Sequence, residues 1–180
     1  LTPQEISALI LRELADRVFR AARRNSRVVG VGLDPFDADP AAFAKRHNLV
    51  RPYVLYSGRR EDGKGTPLLL DHMRTFLERT RRDVDVVLTG SGTVDAPEGL
   101  EGRIHDVGFV SEQEKHEAMA GAAVFIHPSV LESLGIALLE SFLARTPALV
   151  RAQCPVLRWQ CQRSGAGLWF GTYPEFEEEL

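Results

Sequence analysis

From Pro52 onward the chain alternates between short apolar runs and longer segments with apolar residues at helical spacing. Tyr53-Val-Leu-Tyr-Ser57 reads as a strand and Thr66 to Arg81 as a helix. Val84 to Thr89 predicts a strand, Gly90 to Gly102 a loop, and Ile104 to Gly108 a short strand. Ser111-Glu-Gln-Glu114 has the form of a capping box and opens a helix to about Ala120. Ala122 to Ile126 predicts a strand, Ser133 to Ala144 a helix with Ser133 as N-cap, and Pro147 to Val150 a strand. Pro155 to Arg163 predicts a helix, Leu168 to Phe170 a last strand, and Tyr173 to Leu180 a helix barely begun. Continuously apolar strands alternating with helices imply a parallel sheet covered on both sides. The expected fold class is therefore α/β: a doubly wound, Rossmann-like parallel sheet with helices on both faces.

The N-terminal stretch reads differently. Thr2-Pro3-Gln4-Glu5 is a capping box with proline at the first helical position, and Ile6, Ile10, Leu14 and Val18 follow at helical spacing. Arg17, Arg20, Arg23, Arg24 and Arg27 make a basic end, read as a solvated face with cations near a helix C-terminus. Peripheral contact with an anionic membrane is the alternative. Residues 1–27 are thus expected to be an amphipathic helix and linker from a preceding domain, and 28–180 the α/β domain, cut short at its C-terminal end. Arg27 to Gly32 suggests a short strand and Asp34 to Pro40 a turn-rich connector.

Composition narrows the classes. The 180 residues are 44% apolar and 26% charged with a net charge of −3, so no general attraction to nucleic acid is expected. No apolar run approaches the roughly 20 residues that a membrane span needs. Cys154 and Cys161 fit no zinc or redox spacing, and a reduced cytoplasmic setting is expected.

In doubly wound sheets ligands bind beyond the C-terminal strand ends, and here the polar and glycine residues collect in those loops. Gly58-Arg-Arg-Glu-Asp-Gly-Lys64-Gly65 combines glycines, a helix N-terminus and the cations Arg59 and Lys64, which suits a diphosphate. It is not a Walker A loop. Gly90-Ser-Gly92 follows the next strand without the third glycine of a dinucleotide fingerprint. His127-Pro-Ser-Val-Leu-Glu132-Ser-Leu-Gly135 forms the third loop; Gly135 in a first helical turn suggests close approach to backbone. His127 has no second His or Cys at ligand spacing, so no metal site is expected.

Glu132 and Glu140 are the most informative pair. Glu140 shares an apolar stripe with Ile136, Ala137, Leu143 and Ala144, where a carboxylate costs several kcal/mol unless it is partnered. A ligand hydroxyl is the expected partner; the competing reading pairs Glu140 with Arg145 or Arg151 and leaves Glu132 solvated. On one helix the two acids would lie roughly 12 Å apart along the axis. A double displacement needs carboxylates about 5 Å apart, so both read as binding groups.

In order, Gly58-Arg59, Lys64-Gly65, Gly90-Ser91-Gly92, Pro128-Ser129, Glu132, Gly135 and Glu140 resemble the C-terminal half of the GT-B glycosyltransferases, specifically retaining family 4 with its E-x7-E motif. Val107-Gly-Phe-Val110 before the Ser111 cap resembles the family's nucleobase-side loop. The resemblance implies a nucleoside-diphosphate-sugar donor, transfer of a hexose, no metal ion, and an acceptor glycan, lipid or small molecule held by an N-terminal domain. It implies that Arg59 and Lys64 grip the diphosphate beside Gly58 and Gly90, and that Glu140 meets the ribose. It further implies that Glu132, Ser133, Leu134 and Gly135 hold the sugar, and that backbone near Phe109 and Val110 meets the base. Glu132, Arg59 and Lys64 would be the catalytic set, and an isolated donor half is expected to be inactive. Two features depart from the pattern: Arg145-Thr-Pro147 replaces a usual glycine, and Gln153 to Trp159 replaces a glycine-rich stretch. A nucleotide-sugar epimerase of the same fold and a non-catalytic α/β interaction module are the alternatives.

Overall fold

The computed structural model describes residues 31–180, of which Pro35–Leu180 form one compact unit. The N-terminal helix expected over 1–27 lies outside the described residues, as do residues 27–30 of the expected first strand; Val31 and Gly32 carry no strand.

In chain order the elements are α1 (Pro40–Arg46), β1 (Tyr53–Ser57), a 3-10 turn (Asp62–Lys64), α2 (Thr66–Thr80), β2 (Asp85–Thr89), β3 (Ile104–Gly108) and α3 (Glu112–Gly121). β4 (Val124–His127), α4 (Ile136–Leu143), β5 (Ala148–Arg151), α5 (Pro155–Ser164), β6 (Gly167–Phe170) and α6 (Tyr173–Glu179) follow. The six strands form one sheet in the order β3-β2-β1-β4-β5-β6, every recorded pairing parallel. The chain builds outward from β1 to β3, then returns to lay β4 against the other side of β1. The switch point therefore lies between β1 and β4.

Strand periodicity divides the core in two. Tyr53 and Leu55 point to one face, with Val87, Phe125, Val150, Phe43, Leu138 and Leu157. Val54 and Tyr56 point to the other, with Leu88, Ile126, Leu149, Leu69, Met73 and Phe176. Both layers are apolar, and each large side chain enclosed contributes about 2 kcal/mol. The doubly wound reading of the sequence is what the structure has.

Three local expectations change. Asp39, inside the predicted connector, caps α1: its Oδ1 accepts from the Ala41 N–H at 2.9 Å, Pro40 starts the helix, and Phe43 is wholly buried. The C-terminal segment is a formed helix, held by the Thr172–Glu175 capping box and by Phe176 in the core. Most consequential, Ser133 does not cap α4. The cap is Gly135, left-handed at φ 71°, and a Cβ there would meet Leu157 Cδ2 at 2.5 Å. Glu132 therefore precedes the helix, and the axial spacing expected between Glu132 and Glu140 does not apply.

Candidate functional site

The loops after β1 and β4 flank the switch point, and their residues meet across it. Lys64 Nζ donates to Glu132 Oε1 at 2.7 Å, joining the two loops through side chains that are 26% and 13% exposed. Backbones approach here too: a Cβ on Gly65 (φ 77°) would lie 2.5 Å from the Pro128 carbonyl oxygen. Gly65 caps α2 and Gly135 caps α4, and neither helix receives a side-chain cap. Two helix N-termini of partial positive charge thus lie beside the Lys64–Glu132 pair. Such an arrangement receives anions.

Glu132 is held from a second side by His127, whose Nε2 lies 3.2 Å from the same Oε1. The His127 hydrogen bond, acting against burial and joined by that of Lys64, pulls the Glu132 carboxyl from 4.5 down to about 2. An ionised carboxylate only accepts, so the His127 hydrogen resides on Nε2. Glu132 is therefore a fixed hydrogen-bond acceptor and not a proton donor near neutrality.

Glu140, 9% exposed, is not left without a partner as the sequence led us to expect. Its Oε1 accepts from Lys115 Nζ at 2.8 Å, and the same ammonium reaches Glu112 Oε2 at 2.8 Å. The partner is thus neither arginine of the competing reading, because the first turn of α3 brings a closer cation. Burial opposes the charge on Lys115, but its bonds to Glu112 and Glu140 outweigh that and raise its pKa. Ligand atoms of Glu112, His116 and Glu140 lie within 4.8 Å of one another, but Lys115 already supplies the cation to both carboxylates.

The adjacent arginines separate by role. Arg59, 64% exposed at its side chain, pairs with Glu61 at 3.1 Å and with no other site residue among the recorded ion pairs. Arg60 is the residue that sequence reasoning missed. Its side chain is fully enclosed and bonds the Leu88 and Gly90 carbonyls and Asp106, tying the β1 loop to the ends of β2 and β3. Nothing in an Arg-Arg pair says which one turns inward. Gly58 and Gly90 lie within this brace, with the Gly58 N–H donating to Thr89 O at 3.0 Å and the Gly90 N–H to Gly108 O at 2.7 Å. Phe109 is 86% exposed at the tip after β3, Val110 is half-buried and Ser111 caps α3 through the Glu114 N–H. Ser133 is exposed, and the Leu134 carbonyl accepts from Gln160 Nε2. A cavity of about 320 Å³ beside Arg60, Thr66, Leu70 and Val94 lies against α2 and is lined by neither Lys64, Glu132 nor Glu140.

The family described as glycosyl transferases group 1 matches residues 37–178. The chain belongs to this family. With its parallel sheet and Rossmann-like layering, it is a GT-B glycosyltransferase domain. Alpha-D-kanosaminyltransferase of Streptomyces kanamyceticus is 31% identical over 70% of this chain and 36% of its own length. An uncharacterized glycosyltransferase of Methanocaldococcus jannaschii is 28% identical over 78% of this chain and 40% of its own. The chain thus spans 36% to 40% of these curated relatives. Among solved structures, WaaG, a glycosyltransferase involved in lipopolysaccharide biosynthesis, matches with TM-score 0.70 at 17% identity over 91% of this chain and 48% of its own. Sucrose-phosphate synthase of Thermosynechococcus elongatus gives 0.69 at 22% identity over 99% and 46%. These two likenesses concern the fold. Among the described residues no helix is long and apolar enough to cross a membrane, and Cys154 and Cys161 are buried free thiols, the latter pushed up to about 12 by burial.

Proposed function

We propose that the crevice between the β1 and β4 loops binds the nucleoside-diphosphate-sugar donor of a retaining hexosyl transfer. The observation that carries this reading is the Lys64–Glu132 contact across the switch point, between two helix N-termini that no side chain caps. Lys64 and Arg59 take the diphosphate, and the backbone amides at Leu134 and Gly135 with Glu132 and Ser133 take the transferred sugar. Glu140 accepts from the ribose hydroxyls, and backbone at Phe109 and Val110 borders the base. The acceptor is a glycan, lipid or small molecule held by a separate preceding domain, and the donor half alone transfers nothing.

Chemistry supports this division of labour. As the glycosidic bond breaks, the leaving diphosphate gains negative charge, and fixed cations and helix amides stabilise it. Losing one such donor costs on the order of 3 kcal/mol. These groups supply the charge, so the reading needs no metal ion. Calorimetry of the chain with UDP, GDP and ADP sugars tests it. One of the three should bind, and Lys64→Ala should weaken that binding at least tenfold with the fold intact. A folded chain that binds none of them refutes the proposal.

A further inference from the structure

Glu140 raises a question that a ribose ligand alone does not answer. Its carboxylate is nine-tenths buried, yet α4 offers it only apolar neighbours on its own stripe: Ile136, Ala137, Leu143 and Ala144. Between visits of a ligand such a group needs a permanent partner. Lys115 is that partner, and its position is otherwise unfavourable. It sits in the first turn of α3, after Ser111, where the helix dipole disfavours a cation, and its side chain is only 18% exposed. Its ammonium binds one oxygen of Glu140 and, on the other side, Glu112, whose side chain is 77% exposed. No hydrogen bond to Glu140 Oε2 is recorded among the described residues, and Oε2 is not among the enclosed polar atoms without a partner. One oxygen is tethered and the other remains reachable.

We infer that Lys115 is the positioning residue of the ribose subsite: by holding Glu140 Oε1 it fixes the carboxylate so that Oε2 is aimed at the donor's ribose hydroxyls. The inference rests on the donor reading above but goes beyond it, since that reading needs only Glu140. A carboxylate tethered at one oxygen has one orientation to offer. An untethered one on a flexible glutamate loses that orientation on each ligand-free excursion, and recognition of a diol weakens accordingly. Glu112 completes the tether from the surface by holding the ammonium in its turn.

The test compares ribose with its absence. The tightest binder among UDP, GDP and ADP is titrated into the chain alongside its 2′,3′-dideoxy counterpart. Wild type should prefer the ribose form by about tenfold, one charge-assisted hydrogen bond's worth. Lys115→Met should bring that preference close to one while leaving affinity for the dideoxy form within about twofold. Lys115→Arg should restore most of it, and in a Glu140→Gln background Lys115→Met should change the ratio no further. Should Lys115→Met fail to fold, Lys115→Gln, which keeps a donor for Oε1, replaces it and should retain only part of the preference. A variant that keeps the wild-type ratio, or that weakens both ligands equally, overturns the inference and leaves Lys115 a purely structural partner. Wild type binding none of the three nucleotides would instead refute the donor reading, and the inference with it.

Discussion

Glu132→Gln should tighten binding of a free nucleoside diphosphate while weakening binding of the matching nucleotide sugar. On the donor reading, Glu132 neutralises the cation that would take the diphosphate, with 2.7 Å between Lys64 Nζ and Oε1. An arriving diphosphate must share that ammonium with a fixed negative charge. At about 7 Å and an effective dielectric constant of roughly 40, their repulsion is about 1 kcal/mol, or roughly fivefold in affinity. Glutamine removes the charge and keeps the shape. The sugar-bearing donor gains the same relief but loses a charged acceptor for its hydroxyls, a contact worth about 2 kcal/mol. Its net affinity should fall about fivefold, so that the preference for the sugar form drops about thirtyfold. Parallel calorimetric titrations of both ligands against wild type and variant measure this directly. If Glu132→Gln weakens the free diphosphate, or shifts both ligands alike, the acid is not the sugar's acceptor and the electrostatic reasoning is wrong.

Other perturbations address stability. The Glu132 carboxyl falls from 4.5 to about 2 on folding, so the unfolded chain binds more protons between these values. Its contribution is complete above about pH 4.5 and is lost as pH falls toward 2; Glu132→Gln should flatten that limb of a urea-midpoint-against-pH curve. Arg60→Met should cost about 3 kcal/mol, read as a lower urea midpoint, because the Leu88 and Gly90 carbonyls and Asp106 lose an enclosed donor together. Arg145, left-handed at φ 62° just past α4, should gain about 0.5–1 kcal/mol of stability as Arg145→Gly, seen as a rise of a few degrees in Tm.

Much of the fold was legible because strands buried on both faces announce themselves as unbroken apolar runs such as Tyr53 to Tyr56 and Val86 to Leu88. Edges were less so. Ser133 has the right chemistry for an N-cap but the wrong neighbour: the tight fit of Gly135 against Leu157, from a helix twenty residues later, decides where α4 begins. Lys64 and Glu132 could be named from their loops, and their meeting followed from strand order. Lys115 could not be named. In the sequence it is one more lysine in a polar first turn, paired at i,i+3 with Glu112, and only the packing of α3 beside α4 turns it onto Glu140. Arg60 and Arg59 differ by one backbone step that composition does not record.

The strand order has a mechanical side. β1, β2 and β3 pair among themselves, as do β4, β5 and β6, and the two sets share a single backbone seam where β1 lies along β4. Lys64 belongs to one set and Glu132 to the other. On the donor reading, a molecule lodged between them touches both sets at once and acts as a clasp across that seam.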